Sequence, residues 1–429
     1  MKHFYRFFIL LGFLLLAGPV LKAKADPEIS LSNGISKARI TDNSYYTNVE
    51  FKGGEKITIS GASEVRHLYI MWDFGNDNVN STGISWFSGK PGVKPWTLLI
   101  DGQPYEYGKH GFLHEYIELP VRGETLEILI PEGGASVAEL YAIETEEVPD
   151  YVQIWEDSYS TADILLISSH SDDEIFFFGS TIPYYTVERN MRVQVVYFTY
   201  HTEKARTHES LNVMYYCGVR NYPVFGTQFE DIYSEKLSHA LTLFDNDAVS
   251  KFIVQQYRRF RPSVVLSHDL NGEYGHGVHM LVSKYVSESL EIASNPEKYP
   301  DLTEKYGTWD VPKLYLHLYE KNPIYMDWEF NMPHFENRNA WDVMASAFRQ
   351  YDSQMKYYAT SLENMKNHSP SEKYDCRKFG LFRTLVGFDT GKNDFLENIK
   401  PVEYKDYIDK YFEVRSITHG KKKNGGQTP

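Results

Sequence analysis

At 429 residues the chain is longer than one compact domain of ordinary size, so two domains are expected. Hydrophobic residues make up 42% of it and aromatics 15%, with 33 Tyr and 25 Phe, which excludes a disordered protein. A formal charge of −14 argues against nucleic acid or anionic lipid as the main partner and is compatible with neutral carbohydrate.

Residues 1–25 read as a secretory signal. Lys2 and Arg6 open it, Phe7 to Leu16 is apolar, and Ala23-Lys24-Ala25 offers a small-residue cleavage site before Asp26. The competing reading, a membrane anchor, asks for about 20 apolar residues. Here the apolar run is shorter, and Gly18-Pro19, Lys22 and Lys24 break up the residues after it. The expectation is a secreted or periplasmic protein with no stable membrane insertion after cleavage. Losing Lys2, Arg6, Lys22 and Lys24 and no acid would take the formal charge from −14 to −18.

Residues 27–150 have an all-β texture. Lys56-Ile57-Thr58-Ile59-Ser60 alternates with the period of a half-buried strand. Short runs at 67–72, 96–100 and 126–130 come next, separated by turn signals at Gly53-Gly54, Asp101-Gly102 and Pro131 to Gly134. Many short strands without a helical period predict a β-sandwich. The texture, without any specific motif, resembles the jelly-roll, galactose-binding-like modules attached to carbohydrate enzymes. Trp72, Trp86, Trp96, Tyr105 and Tyr107 either stack on sugar rings or fill the sandwich core, and the sequence leaves both open.

The acidic stretch Glu144 to Asp150, with Pro149, reads as a linker. Over 151–415 strand and helix patterns alternate, which predicts an α/β domain with a Rossmann-like, largely parallel sheet flanked by helices. Strands are expected at 164–168, 192–199, 263–267 and 313–319, and helices at 203–217, 246–260, 277–293 and 339–357. Cys217 and Cys376 allow one disulfide, but no spacing argument pairs them. The absence of a Cys-x-x-Cys pair excludes a zinc ribbon or thioredoxin-type motif. Residues 416–429, rich in Lys and Gly, read as a frayed tail.

The chemistry is concentrated at two strand ends. The apolar run Ile164 to Ile167 stops at His170, Asp172, Asp173 and Glu174, and a second run is followed by Gly275-His276-Gly277-Val278-His279. Ligands of open α/β sheets bind outside the carboxyl ends of the strands. Imidazole with carboxylate suits a divalent metal, zinc above all where histidine leads. A set of His170, Asp173 and His279 leaves one position for water, as in catalytic zinc sites. The plainer reading of Asp172-Asp173-Glu174 is a helix N-terminus favoured by its dipole.

Ser168-Ser169-His170-Ser171-Asp172-Asp173-Glu174, followed by Phe178-Gly179-Ser180-Thr181, resembles the His-Pro-Asp-Asp-Glu strand end and glycine turn of the LmbE-like, or PIG-L, zinc N-deacetylases. Gly272 to His279 is similar to that family's Gly-Tyr-Gly-His-Pro-Asp-His motif. Arg206-Thr207-His208-Glu209 before Cys217-Gly218-Val219 resembles its Arg-x-x-Glu helix, and Tyr351-Asp352-Ser353-Gln354 its Ser-Gln segment. The four matches run in order over about residues 160–360.

The resemblance implies Zn²⁺ bound by His170, Asp173 and His279, with Asp172 as general base on water. It implies His276 as oxyanion stabiliser or acid toward the departing amine, with Tyr274 as a further donor. Arg206 would hold a substrate hydroxyl or a ligand carboxylate, or simply form an exposed helix ion pair with Glu209. Glu174 would support the turn. Two positions depart from the pattern: Ser171 stands for proline, and Val278 for the aspartate that would hold the catalytic imidazole. His276 then needs another partner, Asp269 or Glu273.

The expected function is removal of the N-acetyl group from an amino sugar in a glycan or glycoconjugate. The alternatives are a zinc amidohydrolase on another N-acyl group, in a glycopeptide or lipid, and a non-catalytic glycan-binding protein.

Overall fold

The computed structural model describes residues 26–73, 93–201, 203–369, 371 and 373–399. The signal reading of 1–25, Trp86, the stretch 400–415 and the tail 416–429 lie outside the described residues.

The first strands form two antiparallel sheets. One holds, in spatial order, β1 (Glu28–Leu31), β3 (Lys56–Ser60), β8 (Thr125–Leu129), β5 (Trp96–Ile100) and β6 (Gln103–Tyr107); the other holds β2 (Val49–Phe51), β9 (Ala135–Ile143), β4 (His67–Asp73) and β7 (His114–Glu118). The period-two pattern decides the packing: Ile57, Ile59, Leu98, Ile100, Leu126 and Ile128 face Leu68, Ile70, Trp72 and Val137 in one apolar cluster. Strand β4 does not alternate, because its second face is covered too, with Tyr69 and Met71 packed against Ala138, Ile143 and Val152.

The structure decides the question of the aromatic rings for two of them. Trp72 and Trp96 are 0% and 2% exposed, and both donate their indole N–H to the Glu115 carboxylate at 3.0 and 2.9 Å. They are core residues and unavailable to a sugar. Tyr105 and Tyr107 are partly buried against the same cluster.

After residues 144–150, which contain neither helix nor strand, the chain builds a seven-stranded sheet. Five parallel strands, β10 (Ile164–Ser168), β11 (Val193–Tyr197), β12 (Val224–Phe225), β13 (Val264–Ser267) and β14 (Lys313–His317), lie in the order β12-β11-β10-β13-β14. β15 (Pro323–Tyr325) and β18 (Lys378–Thr384) extend the sheet, with β18 antiparallel to both β14 and β15. A ribbon of β16 (Asn331–Met332) and β17 (Arg338–Asn339) stands apart. The strands read as continuous apolar runs because both faces are covered. Ile164, Leu166, Val193 and Val264 enter the cluster shared with the sandwich, while Leu165, Ile167, Val196 and Val265 enter a second cluster beneath the other helices.

The helices that frame the site and its surroundings are α1 (Asp173–Phe176), α2 (Ala205–Tyr216), α3 (Asn246–Phe260), α4 (Gly277–Ser294), α5 (Ala340–Phe348) and α6 (Met355–Lys366). The single helix expected at 339–357 is in fact interrupted. The chain leaves α5 at Phe348, makes a tight turn at Asp352–Gln354 and restarts at Met355. The Glu209 carboxylate of α2 accepts the Ser353 N–H of that turn at 2.7 Å. Cys217 and Cys376 are separate, buried, free thiols.

Candidate metal centre and active site

Strand order reverses between β10 and β13: the chain proceeds from β10 outward to β11 on one side and from β13 to β14 on the other. That switch point opens a crevice at the strand carboxyl ends. His170 to Asp173 come directly after β10, His268 after β13, and Glu273 to His279 lead into α4.

Three ligand-type atoms meet there. His170 Nδ1 lies 3.0 Å from Asp173 Oδ2 and 3.1 Å from His279 Nε2, and His279 Nε2 lies 3.2 Å from Asp173 Oδ2. All three residues are buried. Bonds of about 2.0–2.1 Å to a tetrahedral zinc would separate its ligands by roughly 3.3 Å, so the triangle fits this ion. The far side of the His279 ring meets a carboxylate, as is usual for metal-bound histidines, while that of His170 makes no hydrogen bond. His279 Nδ1 is 2.7 Å from Glu273 Oε2, and His170 Nε2 is 3.4 Å from Asp231 Oδ1.

The electrostatics arise from the geometry. Burial resists charge on Asp173, yet the His279 and His170 rings outweigh it and hold the carboxyl well below its usual range. Burial likewise opposes the charged His279 ring, but Asp173 and Glu273 lift it to about 10.

Glu273 is the anchor that sequence reasoning missed in this role. Fully buried, it meets His279 Nδ1, His268 Nδ1 at 2.9 Å and His317 Nδ1 at 2.7 Å, and accepts the Asp269 N–H at 3.2 Å. His268 is no substitute ligand, since its Nε2 accepts the Ser169 N–H at 2.8 Å. His268 and His317 stand just past β13 and at the end of β14. The rule that singled out His170 would have found both.

Asp172 sits beside the triangle in a strained backbone conformation, φ 103°. It occupies the N-cap position of α1 but makes no side-chain capping bond. Its N–H instead donates to Glu174 Oε2 at 2.8 Å, and Glu174 also accepts the Tyr351 hydroxyl, so Glu174 holds the turn. The Asp172 carboxylate turns toward Arg206, with Oδ2 3.2 Å from Nη2. Burial pushes the Asp172 carboxyl up to about 6, while Arg206 opposes the rise. That value suits a general base near neutrality.

Arg206 is not in an exposed pair with Glu209. Both are buried on α2; the guanidinium contacts Asp172, the Ser171 carbonyl and the Ser353 hydroxyl, and lies over the Tyr351 ring. Facing inward, its guanidinium lies against Asp172, and its Nε has no hydrogen-bond partner.

The partner expected for His276 is also corrected. Among the described residues neither Asp269 nor Glu273 hydrogen-bonds its ring. Its Nδ1 accepts the Val278 N–H at 3.2 Å, capping α4 and leaving the proton on Nε2. Burial and the neighbouring His170 and His279 push its pKa down to about 3, so the ring is neutral. Val278 packs wholly inside the cluster beneath α4, where an aspartate would be stranded. Tyr274, 45% exposed with φ 46°, stands at the rim, its ring centre 5.5 Å from both His276 and His279.

Residues 165–290 match the family model described as PIG-L: GlcNAc-PI de-N-acetylase. Over that stretch the chain is similar to the PIG-L family. A 1D-myo-inositol 2-acetamido-2-deoxy-alpha-D-glucopyranoside deacetylase of Catenulispora acidiphila is 27% identical over 184 residues, covering 35% of this chain and 54% of that protein. A mycothiol S-conjugate amidase of Streptomyces coelicolor is 33% identical over 94 residues, covering 22% and 28%. The chain thus spans about half the length of the first relative and less of the second. The N,N'-diacetylchitobiose deacetylase of Pyrococcus horikoshii aligns at 17% identity with a TM-score of 0.38, covering 52% of this chain and 83% of that one, too distant a likeness to bear on the site. The PIG-L-type match contains both strand-end motifs, the triangle and Glu273.

Proposed function

We propose that the chain is an extracytoplasmic, zinc-dependent N-deacetylase that removes the acetyl group from an N-acetylated amino sugar in a glycan or glycoconjugate, through a PIG-L-type domain within 151–415. The observation that carries the reading is the triangle of two imidazole nitrogens and one carboxylate oxygen, with the His279 ring backed by Glu273, beside the Asp172 base. The substrate class rests on the relatives, whose names specify a 2-acetamido-2-deoxy-glucopyranoside.

His170, Asp173 and His279 would hold the zinc, which supplies Lewis acidity and activates water at neutral pH. Asp172, kept ionised by Arg206, takes a proton from the attacking water as its oxygen bonds to the amide carbon. The neutral His276 presents Nε2–H toward the oxyanion, and Tyr274 presents a second donor from the rim. The amide C–N bond then breaks, the amine leaves with a proton returned from Asp172, and acetate is the other product. Asp172 and His276, with pKa values driven apart by their surroundings, divide base and donor roles.

The test is an acid-release screen of the purified protein over N-acetylated amino-sugar oligomers and longer N-acyl analogues, run with metal analysis. Acetate release that depends on zinc is expected; release of only longer acids would reassign the acyl group, and no release would end the reading.

A further inference from the structure

The N-terminal sandwich and α2 are joined by a buried polar network beside the site. His208, on α2 between Arg206 and Glu209, is wholly buried, with Nε2 2.8 Å from Asp73 Oδ1 of β4 and Nδ1 2.7 Å from His114 Nε2 of β7. His114 Nδ1 continues to Gln153 Oε1 at 2.7 Å, and Gln153 Nε2 donates back to Asn212 of α2 at 2.7 Å. Polar groups satisfied in this way away from water fix one geometry, because breaking any bond strands its partner.

Beside His208 on α2, the loop before β2 reaches Glu209. The Tyr46 hydroxyl donates to Glu209 Oε1 at 2.8 Å. Glu209, itself fully buried, also accepts the Ser353 N–H on Oε1 at 2.7 Å and the Ser353 hydroxyl on Oε2 at 2.6 Å. Ser353 Oγ in turn accepts from Arg206 Nη1 at 3.4 Å, and Arg206 Nη2 meets Asp172 at 3.2 Å. A continuous series of hydrogen bonds therefore runs from the sandwich to the base.

We propose that the sandwich is a brace for the catalytic base: Tyr46 and Glu209 are positioning residues that act through Ser353 and Arg206 on Asp172, while the Asp73–His208–His114 contacts fix the helix that carries them. This rests on the reading of Asp172 as the base and adds a role for the N-terminal sheets that requires no sugar binding.

The experiment compares wild type, Tyr46→Phe and Glu209→Gln as full-length, zinc-loaded proteins. Tyr46 is 48% exposed and its ring stacks on Tyr45 at 5.1 Å, so the phenylalanine keeps the packing and removes only the donor. A kcat decrease of about fivefold is expected for Tyr46→Phe, the net size of one ordinary hydrogen bond. For Glu209→Gln, a misplaced catalytic group costs about 10- to 100-fold. In both, KM should stay within about twofold, with zinc content and Tm unchanged for Tyr46→Phe. Crystal structures should show the Arg206–Asp172 contact lengthened. An unchanged kcat, an activity loss that tracks the loss of folded protein, or a contact still at 3.2 Å would each overturn the brace. If wild type hydrolyses nothing, the deacetylase reading fails, and the crystallographic distance still decides the brace.

Discussion

Two carboxylates in this molecule each gather several nitrogen partners, and they behave in opposite ways. Glu115 in the sandwich accepts the Trp72 and Trp96 indole N–H groups and the Gly108 amide at 2.8 Å. Glu273 in the α/β domain meets three imidazoles. Burial raises the Glu115 carboxyl pKa despite its donors, whereas the imidazoles hold Glu273 well below the usual range. Neutral donors orient a carboxylate but offset only part of the solvation its charge loses; the charged His279 ring offsets more. Glu115 is thus a fastener, and Glu273 an electrostatic anchor for groups that bind a cation.

Asp172 extends this contrast, since it is the carboxylate with a cation on one side and the triangle on the other. Asp172→Asn should lower kcat by about 10²- to 10⁴-fold while leaving zinc content intact. Loss of zinc together with activity would place Asp172 among the ligands. The pH profile of the wild type should show an acid limb at or below about 6, because a bound cation lowers the pKa further.

Exchanging the two carboxylates for amides separates their roles. Glu273→Gln should weaken zinc binding by about 10- to 100-fold, the usual cost of a lost carboxylate behind a ligand histidine. Glu115→Gln should leave zinc affinity unchanged. Competition against a chelator would measure both, and equal losses would erase the distinction.

The same anchor predicts a proton dependence. With His279 held near 10, zinc must displace a proton throughout the neutral range. Affinity should rise by about tenfold per pH unit between about pH 6.5 and 9. In the zinc-free protein the sign reverses for stability: the raised folded pKa of His279 contributes fully below its unfolded value, near 6.5, and is lost as pH climbs toward 10. The smallest effect belongs to the fastener, where Glu115→Gln should cost about 1 kcal/mol in chemical denaturation with no change in its dependence on zinc.

Much of this was legible in the sequence because it is local. Ile164–Ser168 forms the strand its composition predicts, and His170, Asp172 and Asp173 come within one turn of chain after it. His279 joins them on ligand chemistry and on motif resemblance. The anchor was harder to see, because Glu273, His268 and His317 converge only once β10, β13 and β14 are neighbours. Spacing along the chain does not report strand order. The break between α5 and α6 was hidden for a similar reason: a carboxylate on α2 takes a backbone N–H that helical periodicity assigns to a continuing helix. For Trp72 and Trp96, a place in short strands was legible, but not that a second sheet covers them.

Diffraction at the zinc absorption edge from crystals of the zinc-loaded protein would locate the ion itself. The structure predicts one strong anomalous peak about 2.0–2.2 Å from His170 Nδ1, Asp173 Oδ2 and His279 Nε2, with Glu273 still on the far side of His279. A crevice with no peak, or a peak bound by His268 with His170 turned away, would contradict it.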